Sequence, residues 1–203
     1  PSGYDTILEE RGANLSGADL NRSVLTNANL TGATIAEANL DDTTSRGFRA
    51  AQLYSTQSYE AKSLVGISLE RNDMTGWDFH EQDLTGAELY SSTLTNANLA
   101  GANLSRINNS SFFAALTTLA NANLAGANLT EARFLDSTFT NANLTGAKLL
   151  DAYLSGSTLT GANLTAASVS RARFNNTTSK GFTAAQLYST QSYQAKDLRG
   201  IQL

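Results

Sequence analysis

The chain has 203 residues with 41% apolar content, a single proline, 15 glycines and no cysteine. That length allows one sizeable domain, and the composition excludes a collagen-like or disordered chain. Without cysteine there are no disulfides or thiolate metal sites, and no apolar run reaches the roughly eighteen residues that would cross a bilayer, so membrane insertion is not expected.

The overall charge of −4 is unevenly spread. Residues 1–88 hold 14 acidic and 6 basic residues, a net of −8, whereas residues 89–203 hold 4 acidic and 8 basic, a net of +4. A gradient of this kind steers one end of a molecule toward the other end of a neighbour.

In chain order, a first block over residues 13–42 repeats every five residues through Leu15, Leu20, Leu25, Leu30, Ile35 and Leu40. The period fits neither a helical stripe nor an alternating strand. Residues 43–63 interrupt it. The period resumes over 64–176, from Leu64 and Leu69 through Met74, Phe79 and Leu84 to Phe174, with an irregular turn at 107–116. A second interruption covers 177–197, and residues 198–203 begin another block with Leu198 and Leu203. Residues 43–69 and 177–203 match at 21 of 27 positions at an offset of 134, so a long unit has been duplicated.

A small residue, usually Ala, Ser or Thr, lies two places before the large apolar one, with Asn or Asp often between them, as in Ala13-Asn14-Leu15-Ser16-Gly17. A chain turning a corner every five residues points both inward and leaves the other three positions to water. This A-(N/D)-L-x-x pattern resembles the pentapeptide-repeat family over most of the chain. The resemblance implies an all-β solenoid: a right-handed quadrilateral β-helix with four pentapeptides, hence twenty residues, per coil. It also points to a bacterial source, without distinguishing cytoplasm from cell envelope.

Columns read twenty apart are orderly. One interior column is Leu84, Leu104, Leu124, Leu144 and Leu164, flanked outside by Asp83, Asn103, Asn123, Asn143 and Asn163. Stacked amides of this kind form ladders. Another outside column, Phe113, Arg133, Tyr153 and Arg173, is expected to alternate cations with aromatic rings. In the irregular turn, Asn109 and Ala114 fall at interior positions, while Ile107 and Phe112 take small-residue positions and compensate in volume.

Ala-Ala-Gln-Leu-Tyr in each interruption predicts a short helix near residues 50–55 and 184–189. Phe48, Leu53, Tyr54 and Tyr59, with Phe182, Leu187, Tyr188 and Tyr193, supply the packing surface of an excursion docked on one face. Exposed tyrosines mark interfaces, so Tyr54, Tyr59, Tyr188 and Tyr193 are candidate interaction residues, together with Arg133, Tyr153 and Arg173.

No catalytic or cofactor-binding residues emerge. The only histidine, His80, is expected at the surface beside Asp78 and Glu81, with no thiol, paired histidines or phosphate loop to accompany it. Asp73, Asp78, Asp83 and Glu88 look like a cation site in linear order, but successive pentapeptides occupy successive sides of a coil. They are expected to form an acidic girdle pointing four ways, not the converging oxygens that Ca²⁺ requires. Scattered bases make no nucleic-acid stripe.

The expected function is a non-catalytic structural or protein-interaction scaffold within a longer array, with an unknown protein partner and head-to-tail self-association through uncapped coil ends. The alternative, from the resemblance, is a DNA mimic that inhibits or protects DNA gyrase. That role implies a strongly negative rod with a dimerising C-terminal helix. The positive second half and the final Leu203, which corresponds to Leu69, both depart from it.

Overall fold

The computed structural model describes residues 12–107 and 117–203. Each pentapeptide makes one side of a lap. Ala102 and Leu104, for example, both point into the interior with no exposed surface, and Asn103 between them forms a parallel bridge to the neighbouring lap. Bridges join Ser68 to Glu88, Asp73 to Thr93, Asp78 to Asn98 and Asp83 to Asn103. These four pairs are each twenty residues apart, one to a side. Leu84 donates its amide to the Asn103 carbonyl at 2.8 Å, and Asn103 donates to the Gln82 carbonyl at 2.9 Å. Successive laps therefore hold each other through the same kind of backbone bonding on every side.

One residue per side takes part in a bridge, so the described residues contain isolated bridges and no longer strands. The β structure expected of the chain takes the form of parallel bridges, one per side, among the described residues. A corner every five residues leaves one ladder position before the next turn begins. The corners themselves are tight: Ala87 donates to the Leu84 carbonyl at 2.9 Å, closing a turn in which Gly86 has φ +69°. A type II turn needs positive φ at its third residue, which is why glycine recurs at that place. Asn96, Asn121 and Asn141 fill it elsewhere, at φ 59°, 56° and 56°.

The interior is a continuous column of Leu, Phe, Ala and Met, nearly all without exposed surface. Burying each Leu or Phe contributes about 2 kcal/mol, and the ladder repeats that gain on every side. On most described sides a small residue precedes the large one, as Ala102 precedes Leu104, while Ile67 and Trp77 take that place before Leu69 and Phe79 and buried Asn72 and Gln82 before Met74 and Leu84.

The register departs from the expected columns at one lap. Thr93 bridges to Thr118, Asn98 to Asn123 and Asn103 to Asn128, each twenty-five residues apart. The count between bridged positions is thus five residues longer across this part of the chain, the length of one pentapeptide. The outside column is therefore Asp83, Asn103, Asn128, Lys148 and Ser168, while Asn123, Asn143 and Asn163 stack with Asp78 and Asn98 on the adjoining side. Leu124 likewise leaves the column of Leu84 and Leu104. Ile107 is fully buried; Asn109, Phe112, Phe113 and Ala114 lie outside the described residues.

Each interruption holds a 3-10 turn (Thr44–Arg46, Thr178–Lys180) and two short helices: α1 (Ala50–Tyr54) and α2 (Gln57–Glu60) in the first, α3 (Ala184–Tyr188) and α4 (Gln191–Gln194) in the second. Reciprocal bonding between Thr183 and Gln186 opens α3, and Thr56 and Thr190 accept from the amides of Tyr59 and Tyr193 at 3.1 Å. The segment is not an excursion lying on one face. It replaces two sides of a lap: Leu25 donates to the Arg46 carbonyl, Gly32 to Ser55, and Gln57 to Ala33. Gln52 donates from Nε2 to the carbonyls of Leu25 and Ala28 at 2.7 and 2.8 Å. Phe48 and Leu53 are wholly buried. The reason is length: Asn39 bridges to Ser68 across 29 residues, and helical turns absorb the surplus chain while keeping apolar side chains inside.

Candidate functional site

With the interior filled, chemistry is left to the outward columns. The central Asn or Asp of each side works twice. Asn128 accepts the Thr130 amide on Oδ1 at 3.1 Å, fixing its own corner, and donates from Nδ2 to Asn103 Oδ1 at 3.0 Å. Asn103 donates in turn to Asp83 at 3.1 Å. On the adjoining side Asn143 donates to Asn123, Asn123 to Asn98 and Asn98 to Asp78, at 3.0, 3.3 and 2.9 Å. These ladders use up most of the polar capacity of two sides.

The third side is different. Arg133, Tyr153 and Arg173 bridge in sequence. The Arg133 guanidinium lies 5.0 Å from the Tyr153 ring centroid, and that of Arg173 lies 4.4 Å from it. The ring is sandwiched between two cations. Arg133 takes its register from Ile107, whose carbonyl accepts its amide, so the column does not follow the twenty-residue count back to position 113. Beside it Arg171 makes a two-pronged contact with Asp151 at 2.8 and 2.6 Å, and Arg106 pairs with Glu131 at 3.2 Å. The Arg171 hydrogen bond holds the Asp151 carboxyl below its ordinary range and raises the guanidinium in return. No carboxylate forms an ion pair with Arg133 or Arg173 among the described residues.

The carboxylates Asp73, Asp78, Asp83 and Glu88 sit on four different sides of one lap. Asp73 Oδ1 accepts from Thr75; Asp78 Oδ1 accepts from the His80 amide and Asn98; Asp83 Oδ1 accepts from Thr85 and Asn103; Glu88 accepts from Ser68 at 3.3 Å. They do not converge, and no metal-ligating cluster occurs among the described residues. His80 is half-buried, its Nε2 3.5 Å from Glu81 and its Nδ1 enclosed without a hydrogen-bond partner among the described residues.

One charged knot escaped the sequence reading. Asp41, only 6% exposed, accepts from the Ser68 hydroxyl and the Glu70 amide and pairs with Arg71 at 3.3 Å. Burial raises the Glu70 carboxyl, Asp41 adds to the effect, and Arg71 at 2.8 Å opposes it. Nothing local in the sequence distinguishes Asp41 from a surface carboxylate.

The four tyrosines divide into two unequal pairs. Tyr54 and Tyr59 pack at 4.6 Å between centroids, and Tyr188 and Tyr193 do the same. Tyr54 and Tyr59 are half-buried, whereas Tyr188 and Tyr193 are 50% and 38% exposed. The Tyr54 hydroxyl accepts the Asp78 amide, and the Tyr59 hydroxyl donates to the Asp78 carbonyl at 2.9 Å.

A laddered coil turned on five-residue sides defines a repeat solenoid. A model of the family of pentapeptide repeats matches residues 11–44, 73–108, 117–156 and 139–176, with eight copies of the repeat. The chain belongs to the pentapeptide-repeat family. Similar solved structures include full-length QnrB1, a plasmid-mediated fluoroquinolone resistance protein, at 17% identity over 95% of this chain and 80% of that one, TM-score 0.39. Rfr23, a pentapeptide repeat protein from the cyanobacterium Cyanothece 51142, is 25% identical over 74% of this chain and 91% of its own, TM-score 0.31. HetL, a pentapeptide repeat protein involved in heterocyst differentiation regulation from Nostoc sp. strain PCC 7120, is 26% identical over 95% and 81%, TM-score 0.22. No curated protein matches the chain.

Proposed function

We propose that the chain is a non-catalytic scaffold for protein contacts: a right-handed quadrilateral β-helix that presents side-chain columns and forms part of a longer pentapeptide array. The observation that carries this reading is the contrast between interior and exterior. The core is filled with apolar side chains, while the Arg133–Tyr153–Arg173 column offers two cations with no ion-pair partner among the described residues, held rigid by an aromatic ring. A ladder of this kind is a preorganised docking edge, because its side chains are ordered before a partner arrives.

The charge gradient supports head-to-tail self-association, with the acidic half of one copy meeting the basic half of the next. Light scattering tests it. The mass should exceed that of a monomer at low salt and fall as salt screens the charges; a monomer at every salt concentration contradicts it.

A gyrase-directed DNA mimic is the second reading, favoured by the carboxylates Asp73, Asp78, Asp83 and Glu88 spread around one lap. Its test is a supercoiling assay with and without a quinolone. A protein that neither inhibits nor protects the enzyme eliminates this reading.

A further inference from the structure

Charge on the side of Arg133, Tyr153 and Arg173 does not balance. Glu131 is paired with Arg106 at 3.2 Å, Asp151 is held by both prongs of Arg171 at 2.8 and 2.6 Å, and Asp136 meets Lys180 at 3.5 Å. Each of these corner carboxylates has a cation of its own. Arg133 and Arg173 are left exposed, without an ion-pair partner among the described residues. Their spacing is fixed as well. The guanidiniums lie 5.0 and 4.4 Å from the centroid of the one ring between them, so 5.0 plus 4.4 bounds their separation at 9.4 Å. The backbone agrees, because the two arginines stand two laps apart, at roughly 4.8 Å per lap. The cations cover both faces of Tyr153 and leave its edge, and Leu135, two residues after Arg133, is 38% exposed.

We propose that this column binds an acidic peptide segment in the polyproline II conformation, running along the coil axis with carboxylates three residues apart. Spacing selects the conformation. Polyproline II has three residues per turn and a rise of about 3.1 Å, so residues i and i+3 stand on one face about 9.3 Å apart. Same-face positions of a strand fall at about 6.7 or 13 Å, and those of a helix at about 5–6 or 10.5 Å. Of these, the first matches two guanidiniums held within 9.4 Å of each other. Each carboxylate then takes one guanidinium in a charge-assisted pair. The residues between them lie over the Tyr153 edge and Leu135, the aromatic and apolar surface that such segments use. The strip is narrow: Glu131 and Asp151 sit at one corner of the side and Asp136 at the other. A nucleic-acid duplex is wider than one side and would set phosphates over those carboxylates, so charge favours a peptide. The inference rests on the scaffold reading, whose docking edge it assigns to a class of partner.

The probe is a fluorescein-labelled peptide of Glu-Pro-Pro repeats, and the control is a peptide of the same composition with its glutamates in one block. Fluorescence anisotropy on the full chain should show the repeat peptide binding about fivefold more tightly than the control, and weakening as salt rises. Arg133→Gln and Arg173→Gln should each weaken it by about fivefold, the effect of one exposed ion pair near the top of its range. Lys148→Gln removes an equal charge from the adjoining side and should leave the affinity unchanged. Tyr153→Leu keeps both charges but frees both guanidiniums, and should erase most of the difference between the two peptides. The proposal is overturned by absence of binding to the repeat peptide, by equal affinity for the two peptides, or by equal weakening from Lys148→Gln and Arg173→Gln. Tighter binding of a single-stranded oligonucleotide than of the repeat peptide overturns it too. Any of these can occur while the salt-dependent mass stays as predicted, so failure here is distinguishable from failure of the scaffold reading.

Discussion

Asn103 lies over Asp83 with its Nδ2 3.1 Å from the carboxylate, and over it lies Asn128, not Asn123. Both amide groups of Asn103 are used. Oδ1 receives the Ser105 amide at 3.2 Å and Asn128 Nδ2 at 3.0 Å, and Nδ2 also reaches the Thr85 hydroxyl at 2.7 Å. One side chain therefore couples three laps and one corner.

Asn103→Ala removes these bonds together and should destabilise the fold by about 2 kcal/mol, each net hydrogen bond contributing roughly 1 kcal/mol or less in a half-buried site. Asn103→Asp should be worse, because it sets a second carboxylate against Asp83 and discards the donor. Chemical denaturation of the two variants gives the ranking. Equal stability of both with the parent chain would mean that the ladder contributes nothing.

Glycine matters at some corners far more than at others. A Cβ on Gly47 would lie 2.6 Å from the Thr26 backbone at φ +97°, and Gly181 meets Thr160 in the same way. Gly126 also has positive φ, +67°, but nothing lies within 4 Å of its would-be Cβ. Gly126→Ala should cost about 1 kcal/mol, the left-handed penalty alone. Gly47→Ala should cost several-fold more, since backbone has to move. Thermal melts of the two single variants compare them directly.

Alkaline pH should loosen the first interruption. Burial, then the Asp78 charge and then Tyr54, push the Tyr59 phenol up from 10.0 to about 12. The unfolded chain ionises first, so the stability held by the protonated phenol is complete below pH 10 and is lost as pH rises through about 12. Tyr59→Phe should flatten this loss while giving up the bond to the Asp78 carbonyl. A parent chain and variant with the same alkaline unfolding profile would show that Tyr59 is not buried against the lap.

Much of the fold is written in the spacing of leucines. A large side chain every fifth residue, with a small one two places earlier, leaves a four-sided interior as its natural packing, and the side chains of Leu84, Leu104 and Leu144 lie there. The register is not written so plainly. An insertion of one whole side keeps the five-residue phase, so Asn123 and Asn128 are equivalent in sequence and only the hydrogen bonds tell which one follows Asn103. The interruptions could be seen but not their route. Gln52 finds the Leu25 and Ala28 carbonyls only when α1 stands in for a side of the coil. The Tyr54 and Tyr188 segments read alike, yet among the described residues only the Tyr54 and Tyr59 hydroxyls meet a backbone partner, at Asp78. Asp41 is buried by Ser68 and Arg71, residues 27 and 30 places away, which no local pattern announces.

The stacked register is open to one direct measurement, since the chain has no cysteine to interfere. Bridged residues on neighbouring laps stand about 4.8 Å apart, within the span a disulfide tolerates. Asn103→Cys combined with Asn128→Cys should oxidise to an intramolecular disulfide in the folded chain, while Asn103→Cys combined with Asn123→Cys should remain reduced. Cross-linking of the second pair and not the first would contradict the twenty-five-residue lap and the column order built on it.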